Sequence, residues 1–383
     1  MTSTVIYISN CQLTDKVSAD WHIDFLIERS VAVEYWDIVA LVREQHAERD
    51  AQNPDWLRRL RSFAEVESLL RRPDYRRALY VMLLTYGGKA TRIFRLLSKY
   101  DCRMVSFASG MLPSDPAFTW RKIIAWLATP DRLLREIIGR FRASALRKLN
   151  LVRPFAVTFA AGNVALRTPH HSLRVVPINF FDYDRYVKLQ ASATPRILRD
   201  RYAVFLDINL PYHSDLTLTG YRHIDAAEYF RSMGRFFGLL EQAHGLRIVI
   251  AAHPRASYDP GVFGGRRLLR LHTAELVRDA EFVLSHTSTA MSYAVLFAKP
   301  IIFIYTRGMA EAYEHWFVRQ IRCFADYLGA PNYNVDEIDD PGQVCVRPLS
   351  SSDYQRYKYD FLTSHASERT PTEEIVWREL TSP

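Results

Sequence analysis

No two cysteines in this 383-residue chain are spaced CxxC, and none of the four, Cys11, Cys102, Cys323 and Cys345, has histidines beside it at zinc-ligand spacing. That sets aside a structural zinc site and a disulfide framework, and the thiols are expected free, in a reducing compartment. Long hydrophobic runs are missing as well. The most apolar stretch, YAVLFAKPIIFIY, is broken by Lys299 and Pro300 and falls short of the roughly 20 residues that a spanning helix needs. The amino terminus, MTSTVIYISN, has no basic start before a long apolar stretch, so no secretory leader is expected and the protein is placed in the cytoplasm. Glycine is scarce, at 15 residues, and neither GxGxxG nor a phosphate loop ending in Gly-Lys-Ser/Thr occurs. The two best-known glycine-rich phosphate cradles are therefore excluded.

What is present is a folded chain, 48% hydrophobic and 24% charged, long enough for two cores. Apolar runs rich in β-branched and aromatic residues recur at 5–10, 33–39, 78–83, 103–108 and 155–160. Helical patterns lie between them, for example residues 56–72. A segment with neither signal, 188–201, suits a connection between domains, after which strands are expected at 202–209, 247–253, 267–272, 281–286 and 301–306. A long amphipathic helix, 223–245, closes on Gly245. Such alternation predicts an α/β protein of two Rossmann-like, doubly wound domains facing a cleft, 1–187 and 202–383, with ligands at the carboxyl ends of the strands.

Two stretches carry the chemistry. Residues 285–289, SHTST, crowd hydroxyls between a strand and an apolar helix expected at 290–297. One hydroxyl would suffice for a helix cap; Ser285, Thr287, Ser288 and Thr289 with His286 exceed that need, and a helix amino terminus favours anions. At the end of a neighbouring strand stand His253, Pro254 and Arg255, able to donate to phosphate oxygens. Further candidates are Asp207, His213 and Asp215 in FLDINLPYHSD, and Asp182 and Asp184 in FFDYDRY. The latter pair has the Asp-x-Asp pattern of metal-diphosphate sites, but the two-domain alternation favours a cleft-facing or hinge role, and no metal and no cofactor are expected. For a catalytic base the first domain offers Asp15, Asp20, His22 and Asp24, of which Asp20 is preferred. Gly87, Gly88, Gly110 and Gly162 follow strands and permit either close ligand approach or ordinary turns.

HPR at 253–255, SHTST at 285–289 and AKPIIF at 298–303 resemble the nucleotide-binding half of glycosyltransferases with the two-Rossmann-domain GT-B fold. They are most similar to bacterial sialyltransferases and Kdo-type transferases, whose His-Pro and Ser/Thr motifs bind the CMP part of the donor. The resemblance spans roughly 200–310. It implies that His253 meets the donor phosphate or ribose, that Ser288 and Thr289, alone or together with Ser285 and Thr287, supply the hydroxyls at the phosphate, and that the acceptor belongs to O-antigen or capsule synthesis. The acidic tripeptide that supplies the base in sialyltransferases has no counterpart here. CDP-glycerol and CDP-ribitol phosphotransferases of teichoic acid synthesis resemble the same region.

Charge is uneven. Nine Arg or Lys against two acids lie in residues 121–153, where Trp, Ile, Leu and Phe are interleaved at helical spacing. A surface helix drawn to anionic lipid and a helix packed on its own domain both fit. Nucleic acid is not expected, since no recognition motif accompanies the basic residues. The expected partners are thus a nucleotide-sugar donor and a glycan or lipid-linked acceptor.

Overall fold

The computed structural model describes residues 4–42, 52–113, 144–212, 224–254, 256–259 and 261–382. Arg255, His213, Asp215 and residues 121–143 of the basic segment lie outside them. The chain forms two compact units, one of Met1–Ser109, Thr119–Phe181 and Thr363–Pro383, the other of Gly110–Phe118 and Asp182–Leu362.

The first unit is built on seven parallel strands: β1 (Val5–Ser9), β2 (Val33–Asp37), β3 (Leu57–Arg59), β4 (Leu79–Leu83), β5 (Arg103–Ala108), β6 (Phe155–Ala161) and β7 (Ser172–Ile178). Their order is β3-β2-β1-β4-β5-β6-β7. In the second, β8 (Tyr202–Leu206), β9 (Arg247–Ala251), β10 (Leu268–Leu269), β11 (Val283–Ser285), β12 (Ile301–Tyr305) and β13 (Asn332–Asn334) are ordered β10-β9-β8-β11-β12-β13. Each sheet thus winds outward from its first strand in one direction, then resumes on the other side with its fourth. Where the winding reverses, β1 beside β4 and β8 beside β11, neighbouring loops leave in opposite directions and open a crevice at the carboxyl edge.

The central strands β1, β8 and β12 are buried at every residue, which is why they read as unbroken apolar runs. The helix Ala226–His244 starts where the Asp225 side chain accepts the Glu228 N–H and ends at Gly245, whose φ of 58° a side chain would strain. Its buried stripe, including Tyr229, Met233, Phe236 and Phe237, faces the second core.

Three expectations need correction. Residues 56–72 are not one helix: 57–59 pair with β2, and a helix begins only at Phe63, capped by Ser62, whose Oγ accepts the Glu65 N–H at 3.2 Å. The strand expected at 267–272 is only two residues long. β7 and β13 were not anticipated; β7 is an edge strand carrying exposed Leu173 and Arg174 amid its apolar residues, and β13 is the polar triplet Asn-Tyr-Asn.

The carboxyl-terminal residues also behave differently from a simple division at 188–201. From Thr363 onward they return to the first unit, where the helix Thr372–Thr381 buries Val376 and Leu380. A buried polar network holds the return. The Thr363 hydroxyl donates to Asn179 Oδ1 at 2.6 Å, Asn179 Nδ2 to the Thr370 carbonyl at 3.0 Å, and the Asn179 N–H to Thr372 Oγ1 at 3.0 Å.

Candidate functional site

At the switch point of the second sheet, β8 runs directly into Asp207 and β11 into Ser285 and His286. Asp207 is buried, and its carboxylate fastens two loops together. Oδ1 accepts the Asn209 N–H at 2.9 Å and Oδ2 accepts the His253 N–H at 3.1 Å, while the Tyr258 hydroxyl lies 3.0 and 3.1 Å from the two oxygens. Burial pushes this carboxyl above its ordinary pKa, against the opposing pull of those hydrogen bonds. Asp207 therefore acts on His253 through the backbone: it sets where the His-Pro turn leaves β9. His253 itself is half-buried and Pro254 exposed. Tyr258 was not singled out from the sequence; its signal is a lone aromatic in ASYDP, five residues beyond His253.

The hydroxyl loop divides by the strand's alternation, which sends consecutive side chains to opposite faces. His286 is fully buried with both ring nitrogens engaged: Nδ1 lies 2.6 Å from the Ile304 carbonyl and Nε2 lies 2.8 Å from the Tyr229 hydroxyl. A carbonyl only accepts, so Nδ1 carries the proton and Nε2 accepts from Tyr229. Burial lowers the imidazole pKa to about 4. His286 is thus a neutral core histidine, also edge-on to Phe205, and the expectation that it contacts a donor is withdrawn.

The hydroxyls differ. Ser285 Oγ and Thr287 Oγ1 are buried without a hydrogen-bond partner among the described residues, an arrangement that costs about 1–3 kcal/mol per group when nothing satisfies it. Ser288 Oγ accepts the Ala290 N–H at 3.2 Å and so serves as a turn group, and Thr289 is exposed. The helix that follows, Met291–Leu296, has only six residues and begins without a side-chain cap. Its dipole is correspondingly short.

Asp182 and Asp184 do not converge. They stand two residues apart on the helix Phe181–Ala191, about 200° around its axis. Asp182 is buried and accepts the Ser292 hydroxyl at 2.6 Å, so it ties that helix to the one after the hydroxyl loop instead of facing a cleft. Among the described residues, no three His, Cys, Asp or Glu side chains gather as a metal site would require.

Two small cavities accompany these edges. In the second unit one is lined by Glu228, Ser232, Thr306 and Asp336, near the start of Ala226–His244. In the first unit Asp20, Trp21, His22, Phe107, Asn179 and Thr372 line another. Asp20 there is ion-paired with Lys16. His22 lies buried beside it in the left-handed region, φ 59° and ψ 28°, between two short helices. Asp15 and Asp24 start those two helices, in their first turns.

No protein-family model matches the chain, and no curated protein matches it. Among solved structures, the UDP-GlcNAc 2-epimerase of Methanocaldococcus jannaschii, in complex with UDP-GlcNAc and UDP, is similar over 99% of both chains. The identity is 12% and the TM-score 0.50. The glycosyltransferase SnogD from Streptomyces nogalater (12% identity, TM-score 0.47) and MurG from Acinetobacter baumannii (8%, 0.47) also align over 99% of each chain. The likeness to the epimerase is one of fold, and it agrees with the twice-repeated winding: the chain has the GT-B fold.

Proposed function

We propose that the protein is a glycosyltransferase that takes a sugar from a nucleotide-activated donor, with the donor phosphate at the carboxyl edge of the second sheet. The observation that carries this reading is the pair of orphan hydroxyls, Ser285 Oγ and Thr287 Oγ1, at the β8–β11 switch point. As the donor bond breaks, charge builds on the departing phosphate; hydroxyl donors and His253, already fixed through Asp207, meet it there. The acceptor belongs to the first unit, where Asp20 or the neighbouring His22 takes the proton of the attacking hydroxyl.

The His-Pro and Ser/Thr motifs make a CMP-linked nonulosonic or ulosonic acid the first donor to test, transferred in one inverting step to a surface-polysaccharide acceptor. The UDP complex of the epimerase adds UDP to the probes. A lipid-linked acceptor is supported by residues 144–153, where Leu149 and Leu151 are 69% and 47% exposed amid Arg147, Lys148 and Arg153.

The test is a thermal-shift series with CMP, CDP, UDP and GDP on the wild type and on Thr287→Val. One nucleotide should stabilise the wild type. The variant, which keeps the shape and loses only the unsatisfied hydroxyl, should melt at a higher temperature unliganded and bind that nucleotide roughly tenfold more weakly. Stabilisation by none of the four overturns the nucleotide reading. Equal binding by Thr287→Val removes the phosphate role of the loop. Release of CMP from CDP-glycerol or CDP-ribitol, with no turnover of a CMP-sugar, would replace sugar transfer by polyol-phosphate transfer.

A further inference from the structure

We propose that Tyr212 is the surface on which the nucleobase of the donor stacks, an inference that rests on the nucleotide reading above. After β8 the chain bends at Asn209, whose φ is 60°, and the Tyr212 N–H donates to the Asn209 carbonyl at 2.8 Å. That turn sets the Tyr212 ring at the carboxyl edge of the second sheet, 57% exposed. It is backed by aromatic rings: its centroid lies 6.4 Å from Phe230 and 6.5 Å from Tyr258. Those two are themselves seated on buried Phe263, at 5.1 and 5.4 Å.

The same contacts lead to the phosphate candidates. Tyr258 donates to Asp207, and Asp207 accepts the His253 N–H, so one buried carboxylate fixes both the aromatic backing and the His-Pro turn. A ring supported on one side and open on the other loses little freedom when a flat ligand covers it. Every nucleobase presents such a face, and stacking on an aromatic side chain is sequence-tolerant. The base is the one flat aromatic part of a nucleotide sugar, and the Tyr212–Tyr258–Asp207–His253 line runs from an exposed aromatic face to a phosphate donor. Nothing in β8 itself requires an aromatic at 212, since the strand ends six residues earlier at Leu206.

Calorimetric titration of wild type, Tyr212→Ala and Tyr212→Phe with CMP, CDP, UDP and GDP tests this. The nucleotide bound by the wild type should bind about tenfold more weakly to Tyr212→Ala and with nearly unchanged affinity to Tyr212→Phe, which keeps the ring. Unliganded melting temperatures should coincide, because the ring is mostly in solvent. Equal affinity in Tyr212→Ala overturns the proposal and leaves the nucleotide site standing. So does a loss in Tyr212→Phe as large as in Tyr212→Ala, which would assign the effect to the hydroxyl. If the wild type binds none of the four, the nucleotide reading fails and this proposal with it.

Discussion

His286 shows how little a residue type says about its role until its hydrogen bonds are known. In the sequence it stands among four hydroxyls, where an imidazole reads as a phosphate donor; in the fold it is buried with both ring nitrogens bonded inside the core. Its titration follows. The folded state holds it neutral down to about pH 4, whereas an unfolded histidine takes up a proton near 6.5. Its stability is therefore fully present above pH 6.5 and is lost as pH falls from 6.5 toward 4. The loss over that window is about 3 kcal/mol, from about 1.4 kcal/mol per pH unit. Urea unfolding of the wild type at pH 7 and pH 4.5 should show a drop of that order. His286→Gln, less stable at pH 7, should show a smaller drop, and whatever nucleotide the wild type binds should still stabilise it.

Among elements, the returning terminus is built into the first unit rather than the second. Residues 363–383 lay a helix on that unit and satisfy both amide groups of Asn179, which is itself buried. Asn179→Ala leaves the Thr370 carbonyl without its amide donor and the Thr363 hydroxyl with only longer partners, the Ser364 carbonyl and Ser367 Oγ, at an expected loss of about 2–3 kcal/mol. Leu380→Ala, which empties a buried site on the returning helix, should cost about 2–4 kcal/mol. Chemical denaturation followed by tryptophan fluorescence would measure both. A loss below about 1 kcal/mol in each would mean that the return contributes little. The strands divide by the same logic of burial. Those with neighbours on both sides were legible as apolar runs, because a parallel strand covered on both faces has few polar positions. β3, β7 and β13 lie at or next to sheet edges, mix charged or polar residues with apolar ones, and were missed for that reason.

At the scale of the whole molecule, one chain repeats one winding without a sequence repeat to announce it. The same strand order arises twice because right-handed crossovers, started from a central strand and then reversed, have few other outcomes. The two units are assigned different ligands, and this division is testable. In the presence of the stabilising nucleotide, hydrogen exchange should slow at residues 207–212, 252–259 and 285–290. The first unit, Trp21 and His22 included, should exchange as before. Protection confined to the first unit would reverse the assignment.

The sequence by itself determined that two α/β cores would form, where most central strands lie, and that hydroxyls and a His-Pro turn follow strands of one sheet, though not neighbouring ones as expected, since β8 lies between β9 and β11. These follow from hydrophobic period and local turn chemistry, which act over a few residues. Tertiary structure alone decided which of those residues are hydrogen-bonded in the core and which are buried without a partner among the described residues. It buried His286 against Tyr229, engaged Asp182 with Ser292, and left Ser285 and Thr287 unpartnered among the described residues. It also brought Thr363 to Asn179 across 184 positions. Which face of a strand end meets the core depends on helices packed from distant parts of the chain, and no local pattern carries that.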